Sequence, residues 1–203
     1  MLGFTPMIAR LCLALLLAVA GLAAAAADAP LAPQAAVERL RSGGYVLYFR
    51  HAATDLSKND AGMTSFDDCP TQRNLVDRGR DEARAIGAAV RALGIPIGKV
   101  RASPFCRTVE TAQLAFGRAE RTAEVRGGPV RADDPARYAP LRKLLAQRPA
   151  PGTNDVIVSH GNPFYAVAGA PYLAEGEAAV VEPAGDGFRV IARIRVEDWP
   201  APR

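Results

Sequence analysis

The chain has 203 residues, of which 49% are hydrophobic and 23% charged, and its formal net charge at pH 7 is +4. No basic run and no aromatic platform accompany this modest positive charge, so the composition excludes a nucleic-acid-binding protein. The same surplus of cationic side chains suits a phosphorylated or otherwise anionic substrate.

The N-terminal segment, residues 1–27, has the pattern of a secretory signal peptide. Arg10 is followed by an uncharged apolar run and then by small residues that match A-x-A before Asp28. Cleavage there leaves residues 28–203, the size of one α/β domain, with a net charge of +3. An uncleaved membrane anchor is the alternative, because the apolar run is long for a signal peptide. We expect a periplasmic or secreted domain with no membrane span after cleavage.

Export changes the interpretation of the cysteines. Cys12 is removed with the signal, so Cys69 and Cys106 remain as an even pair in an oxidising compartment. A disulfide is the expected outcome, and two buried free thiols are the alternative. A bridge would hold the polar loop that contains Cys69 next to Arg107.

The first predicted elements are a short helix over residues 34–41 and a strand over residues 45–49. The strand residues are apolar and mostly β-favouring, which is typical of a parallel strand buried on both faces. Arg50 and His51 follow it directly, at the carboxyl edge of the sheet where ligands bind in open α/β folds. Residues 55–73 are polar and rich in turn formers, which predicts a functional loop or lid.

Helical periodicity returns over residues 77–93, and a short strand is expected over residues 100–103. Ser103 is a plausible N-cap of the next helix, with Pro104 at its first position. Arg107 then lies in the first helical turn, where the helix dipole disfavours a cation but free N–H groups favour an anion. Binding an oxyanion would explain this arginine.

The second half of the chain repeats the alternation of strands and helices. A third strand is expected over residues 123–125, a helix over 137–147, a strand ending at His160, and a short helix over 163–168. Strands over residues 177–182 and 188–196 should form an antiparallel hairpin at one sheet edge, with Trp199 packing the tail. The fold class predicted is an α/β three-layer sandwich with a mostly parallel central sheet and helices on both faces.

The two histidines of the chain, His51 and His160, both terminate apolar strands. With Arg50 and Arg107 they would form a pocket for a tetrahedral dianion, since the arginine fork matches phosphate oxygens bidentately. An imidazole nitrogen can attack phosphorus and hold a covalent intermediate. Phosphoryl transfer otherwise needs mainly positioning and neutralisation of the equatorial oxygens.

These residues carry a family resemblance. RHA at 50–52, SPFCRTVETA at 103–112 and SHG at 159–161 resemble the three signatures of the histidine phosphatase (phosphoglycerate mutase-like) superfamily, and NLVDRGRDEAR at 74–84 resembles the helix start between the first two. The motifs appear in family order across nearly the whole mature chain, and with the signal segment they resemble an exported bacterial branch. The usual glycine after the nucleophilic histidine is Ala52 here.

The resemblance implies a metal-independent phosphomonoesterase without cofactors. His51 would be phosphorylated, and Arg50, Arg107 and His160 would bind the phosphoryl group. Its substrate would be a small or sugar-linked phosphate, because exported relatives act on lipopolysaccharide core sugar phosphates and export removes the glycolytic substrate of a mutase.

No motif fixes the acid that protonates the leaving group. The candidates are Glu177, which is favoured because its strand should start near the site, Glu175, and the pair Asp133 and Asp134. Further hydrogen bonds to the substrate are expected from three more residues: Thr54, Ser57 and Gly161.

Three other functions compete with this interpretation. A metallohydrolase using the aspartates after His51 (Asp55, Asp60, Asp67 and Asp68) lacks HExxH and a second nearby histidine. A serine hydrolase built on Ser159 lacks G-x-S-x-G, and neighbouring residues of a strand point to opposite faces. The remaining alternative is a periplasmic phosphate-ligand binding module that kept the pocket and lost the acid.

Overall fold

The structure is a computed structural model that describes residues 29–127 and 136–201. Its helices and strands are, in chain order, α1 (Pro33–Leu40), β1 (Val46–Arg50), α2 (Asp77–Ala92), β2 (Ile97–Ala102), α3 (Cys106–Phe116), β3 (Glu120–Arg121), α4 (Ala139–Ala146), β4 (Asn154–Ser159), α5 (Gly161–Ala168), β5 (Ala178–Ala184) and β6 (Gly187–Ile194). The predicted signal segment lies outside the described residues. Within the two described ranges, no helix is long and apolar enough to cross a membrane.

The strands form one mixed sheet in the order β3-β2-β4-β1-β5-β6. The first four strands of this order are parallel, whereas β5 runs antiparallel to β1 and pairs with β6 as a hairpin. The mostly parallel sheet with an antiparallel hairpin at one edge is therefore confirmed. Because β1, β2 and β4 are parallel, their carboxyl ends meet at one edge of the sheet.

Both faces of the sheet are covered, as the apolar run of β1 predicts. Leu47 and Phe49 pack into one core, while Val46 and Tyr48 pack into the other. Helices α1, α2 and α3 contribute to the first core, and α4 and α5 to the second. The result is the expected three-layer sandwich. The tail is fixed as predicted, since the Trp199 ring stacks on Phe49 at 6.3 Å between centroids.

Two local predictions were wrong. Residues 123–125 form a 3-10 turn instead of a strand, because the Thr122 hydroxyl accepts a hydrogen bond from the Glu124 N–H and caps the turn. The short edge strand lies before it, as β3. Ser103 does not cap α3, which begins at Cys106 with Phe105 in the cap position. The hydroxyl of Ser103 contacts His160 instead, so a tertiary contact overrides the local capping preference.

The polar loop of residues 55–73 contains a single 3-10 turn, Cys69–Thr71, and is otherwise irregular, as predicted. The loop is nevertheless anchored at several points. A disulfide joins Cys69 to Cys106 with the Cα atoms 5.7 Å apart, which confirms the predicted bridge. The buried Gln72 side chain accepts from the Cys106 N–H and donates to the Phe66 carbonyl. These contacts hold the loop against the N-terminus of α3.

Candidate active site

The two histidines lie side by side at the carboxyl edge of the sheet. Arg50 at the end of β1 is paired with Ser159 at the end of β4, so the next residue of each strand is a histidine. The rings of His51 and His160 are 5.6 Å apart in an edge-to-face arrangement, and the two residues are 1% and 7% exposed. The sequence prediction that both histidines converge is confirmed by this register.

The tautomer of His51 follows from its hydrogen bond. Its Nδ1 lies 2.9 Å from the Ala52 carbonyl oxygen, which can only accept, so Nδ1 carries the proton. In the neutral ring, Nε2 then holds a free lone pair. Burial lowers the pKa of His51 well below its ordinary value, and the neighbouring Arg107 and Arg50 lower it further. The ring is thus neutral at pH 7 and nucleophilic at Nε2.

Arg107 projects from the first turn of α3, as predicted, and is 4% exposed. Its Nη1 donates to Asp60 Oδ1 at 3.0 Å and to the Arg73 carbonyl at 3.2 Å. The guanidinium carbon lies 4.4 Å from the centroid of the Phe105 ring. Its Nε is buried and has no hydrogen-bond partner among the described residues. This Nε is therefore an unsatisfied buried donor, while the side chain as a whole lines the cavity.

His160 is held between Ser103 and Arg107. Arg107 Nη2 lies 3.4 Å from His160 Nδ1, and because arginine can only donate, Nδ1 accepts. Nε2 therefore carries the proton and donates to the Ser103 hydroxyl at 2.8 Å. Burial lowers the pKa of His160 well below its ordinary value, and the charge of Arg107 adds to this effect. His160 is therefore also neutral at pH 7 in this state.

The four residues predicted to attack or bind the phosphoryl group line one cavity of about 270 Å³: Arg50, His51, Arg107 and His160. Arg50 is oriented by the Leu173 carbonyl, to which its Nη1 donates at 2.9 Å, and by Glu175 at 3.5 Å. Gly161, predicted to contact the substrate, also lines the cavity. The cavity thus has two neutral imidazoles and three guanidinium groups, those of Arg50, Arg73 and Arg107, in its wall, which is the chemistry needed to bind and attack a phosphoryl group.

Other predicted site residues lie elsewhere, and their roles stay predictions. The Glu177 side chain is 6% exposed and accepts from the Ala174 N–H at 2.7 Å, outside the cavity lining. Glu175 accepts a hydrogen bond from the Thr54 hydroxyl at 2.6 Å, and neither residue lines the cavity. The Ser57 hydroxyl donates to Asp55 on the exposed side of the loop. The pair Asp133 and Asp134 falls outside the described residues.

Sequence reasoning missed several residues of the cavity wall, namely Asn59, Asp60, Arg73, Phe105, Gly127, Asn162 and Tyr172. Three of them belong to the predicted loop, where no sequence pattern indicates which side chains turn inward. Phe105 lies within the motif at 103–112 and Asn162 directly follows the motif at 159–161, which is the signal that could have found them. Tyr172 had no such signal.

Among the described residues, no group of three or more histidine, cysteine, aspartate or glutamate side chains is placed to hold a metal ion. The aspartates that follow His51 in sequence are dispersed along the loop. Asp60 turns to Arg107, and Asp67 pairs with Arg121 on the surface.

A neutral, nucleophilic imidazole flanked by arginines lies at the edge of a mostly parallel sheet that is covered by helices on both faces. This arrangement is typical of proteins that bind and transfer phosphoryl groups. Residues 46–135 match the family model described as histidine phosphatase superfamily (branch 1). Over these residues the chain is similar to the histidine phosphatase superfamily. No curated protein sequence matches it.

Solved structures share the fold at low sequence identity. A phosphoserine phosphatase from Entamoeba histolytica, crystallised as a mutant with phosphoserine, is 11% identical over 77% of this chain and 99% of its own, with a TM-score of 0.53. The protein histidine phosphatase SixA, complexed with tungstate, is 17% identical over 77% of this chain and 99% of its own, with a TM-score of 0.50. The protein TTHB049 from Thermus thermophilus is 19% identical over 74% of this chain and 99% of its own, with a TM-score of 0.53.

Proposed function

We propose that this protein is an exported phosphomonoesterase that acts through a phosphohistidine intermediate on a small or sugar-linked phosphate, without a metal ion. The observation that carries the proposal is the state of His51: its Nδ1 proton is bound by Ala52, its pKa is lowered by burial, and its free Nε2 belongs to a ring in the wall of the cationic cavity. A neutral imidazole beside guanidinium groups is suited to attack a bound phosphate dianion.

The reaction has two displacements. The Nε2 lone pair of His51 attacks phosphorus while the bond from phosphorus to the ester oxygen breaks, and that oxygen leaves with the bonding electrons and takes up a proton from solvent. Water then attacks the phosphohistidine as the bond from phosphorus to Nε2 breaks, which releases phosphate, returns the proton of the water to solvent and restores the neutral ring. Arg50 and Arg107 neutralise the equatorial oxygens. The ion pair between Arg107 and Asp60 must loosen when the dianion binds.

The phosphatases among the structural neighbours add support at the level of reaction class, since the named activities are phosphoserine and protein histidine dephosphorylation in those proteins. Export is supported by the sequence of residues 1–27 and by the Cys69–Cys106 disulfide, because disulfides persist in oxidising compartments.

One observation favours the second candidate function, a phosphate-ligand binding module. The carboxylate that lines the cavity within the described residues is Asp60, and this group is already bound to Arg107. Glu177 and Glu175 do not line the cavity. A protein with this arrangement binds a dianion whether or not it can protonate a leaving group.

The decisive experiment measures hydrolysis of an aryl phosphate by the purified protein in excess chelator, with wild type beside His51→Ala. An aryl oxide is a good leaving group and needs little help from an acid, so turnover depends on the nucleophile. We expect chelator-resistant turnover in wild type and its loss, by a factor of at least about 10³, in His51→Ala. Leu56→Ala, at a position 74% exposed on the same loop, is the control and should keep wild-type turnover.

The alternative outcomes separate the two functions. Turnover that collapses in chelator contradicts a metal-free mechanism. Absence of turnover in both proteins, with vanadate still bound by wild type, establishes the binding module instead. Export is tested separately by N-terminal sequencing of the protein from the periplasmic fraction, where a chain starting at Asp28 is expected and a chain starting at Met1 contradicts cleavage.

A further inference from the structure

Attack by His51 changes the charge of its ring. Nε2 forms the bond to phosphorus, whereas Nδ1 keeps the proton that it donates to the Ala52 carbonyl, because a carbonyl oxygen does not take up that proton. The phosphorylated ring is therefore an imidazolium cation until Nε2 is displaced again. Burial opposes a cation at this position, and so do Arg50 and Arg107, since all three lower the pKa of the free ring. A negative charge beside Nδ1 would stabilise the phosphorylated state.

Glu175 supplies such a charge. Its Oε1 lies 3.9 Å from His51 Nδ1. This distance is too long for a hydrogen bond, so the carboxylate does not remove the Nδ1 proton. The two side chains are 2% exposed for His51 and 17% exposed for Glu175. Attraction between charges at this distance and burial is screened less than between charges on the surface.

The backbone on either side of His51 fixes the position of Glu175. The Arg50 N–H donates to the Glu177 carbonyl at 3.1 Å, and the Gly176 N–H donates to the His51 carbonyl at 2.9 Å. Gly176 turns the chain between the two glutamates with a φ of 76°, a left-handed conformation that favours glycine. The segment that precedes β5 is thus attached to the end of β1 that carries the nucleophile.

The Glu175 carboxylate is also held by its own hydrogen bonds. Oε1 accepts from the Thr54 hydroxyl at 2.6 Å, and Oε2 accepts from the Thr54 N–H at 3.3 Å. Arg50 Nη2 donates to Oε1 at 3.5 Å. Because Glu175 does not line the cavity, its carboxylate lies beside the nucleophile and not beside the substrate.

We propose that Glu175 is a positioning residue that stabilises the phosphorylated His51 ring by placing a carboxylate beside its protonated Nδ1. The inference rests on the phosphatase function proposed above and deepens it by assigning the counter-charge of the intermediate. The carboxylate takes up no proton in this role. The ring gains one positive charge when Nε2 bonds to phosphorus and loses it when water displaces Nε2. This role differs from protonation of the leaving group, which would require the carboxylate to reach the cavity.

The test compares Glu175→Gln with wild type. The amide keeps an oxygen acceptor for the Thr54 hydroxyl and removes the charge. Glu82→Gln is the matched control. The Glu82 side chain is 19% exposed and accepts from a backbone group close to the nucleophile, the Ala53 N–H, at 3.1 Å, but its ion pair is with Arg78. The two variants therefore remove the same charge from carboxylates of similar burial on the same stretch of backbone.

Two anions separate stabilisation of the ring charge from a purely structural role. Inorganic phosphate binds without a bond to the ring, whereas orthovanadate accepts the Nε2 lone pair and so places a positive charge on the ring, as phosphorylation does. We expect Glu175→Gln to weaken vanadate binding by about 10- to 100-fold, the effect of one nearby opposite charge, and to change phosphate affinity by less than about twofold. Single-turnover release of nitrophenol from nitrophenyl phosphate should slow by a factor similar to that for vanadate. Glu82→Gln should match wild type in all three measurements.

Three results overturn the inference. Wild-type vanadate affinity in Glu175→Gln shows that the ring does not use the charge, and an equal loss of phosphate and vanadate shows that Glu175 only maintains the pocket. A selective loss of vanadate in Glu82→Gln as well shows that the position of the charge does not matter. Wild type that fails on the aryl phosphate refutes the proposed function instead. The ratio of vanadate to phosphate affinity still decides the role of Glu175 in that case, so the two failures are distinguishable.

Discussion

Arg73 illustrates how much of the cavity depends on single side chains. Its backbone is engaged twice: the N–H donates to Asp60 at 2.9 Å and the carbonyl accepts from Arg107 at 3.2 Å. Its side chain lines the cavity, and its buried Nε has no hydrogen-bond partner among the described residues. A buried donor without an acceptor is costly, and the positive charge of this guanidinium in the cavity wall attracts an anionic ligand.

Replacing Arg73 by Leu should therefore weaken binding of orthovanadate or inorganic phosphate by about 10- to 100-fold, which corresponds to one hydrogen bond to a charged group. The Asp60 and Arg107 contacts to the backbone of residue 73 remain, so the fold should be kept. Isothermal titration and vanadate inhibition measure the effect. Arg84→Leu, on the exposed face of α2, is the control. Equal affinity in the two variants would show that Arg73 does not contact the ligand.

At the level of secondary structure, the close contact of α2 with α3 positions the helix that carries Arg107. Gly87 on α2 allows this approach, because a Cβ atom there would lie 2.1 Å from the Ala115 carbonyl oxygen on α3. The obstacle is backbone, which cannot rotate away. The helices would have to separate, and burial of the apolar face of α3 would be lost along with the contact.

Gly87→Ala should consequently lower the free energy of unfolding by about 1–3 kcal/mol, the range for overpacking a close contact. Gly62→Ala provides a matched control, since a Cβ atom at Gly62 meets nothing within 4 Å and its stability should stay near that of wild type. Urea denaturation of both variants gives the comparison. Wild-type stability in Gly87→Ala would contradict the helix contact.

The disulfide acts on another element, the loop of residues 55–73. It links Cys69 on the loop to the residue preceding Arg107, across 37 positions of sequence. Because the loop carries Asn59, Asp60 and Arg73, the bridge restrains one wall of the cavity as well as the unfolded chain.

Changing both cysteines to serine should lower the free energy of unfolding by about 2–4 kcal/mol, as expected for closing a loop of this length. The cavity should also bind vanadate less tightly, because the loop wall is no longer held against α3. Thermal unfolding and vanadate titration, with and without a reducing agent, measure both effects. The serine variant serves as its own control, since reductant should change wild type and leave the variant unaffected; an identical response of the two proteins would contradict the bridge.

Across the whole molecule, the buried histidines couple stability to pH. Both pKa values are lowered in the folded protein, chiefly by burial. The histidines of the unfolded chain take up protons below their ordinary pKa of about 6.5, whereas the same histidines in the folded protein stay neutral to much lower pH. Unfolding therefore consumes protons in this window, and stability is lost as the pH falls from about 6.5 toward the folded pKa values.

The free energy of unfolding should fall between pH 7 and pH 5.5 by up to about 1.4 kcal/mol per pH unit for each histidine. Urea denaturation across this range provides the measurement. A double variant, His51→Asn with His160→Asn, should have a flatter profile because neither side chain can be protonated. Equal slopes in wild type and the double variant would show that other groups cause the dependence.

Much of this fold could be predicted because its determinants are local in the chain. The apolar run before His51, the helical periodicity after residue 77 and the turn residues before β6 each specify an element without reference to the rest. The parallel pairing of two such strands then places His51 and His160 together. The disulfide could be predicted from the even pair of cysteines together with the expected oxidising compartment, and the bridge is present in the structure.

The side chains that reach the cavity, and their protonation states, depend on tertiary packing. Asp60 meets Arg107 across 47 positions, and Ser103 is taken from its predicted cap by His160 across 57. Contacts between distant segments depend on how packed layers place the loops, and no periodicity or spacing encodes that placement. Local patterns in the chain therefore specify the strands, the histidines at their ends and the disulfide. Packing between distant segments specifies the histidine tautomers, the inward turn of the loop and the exposed ring of Tyr172.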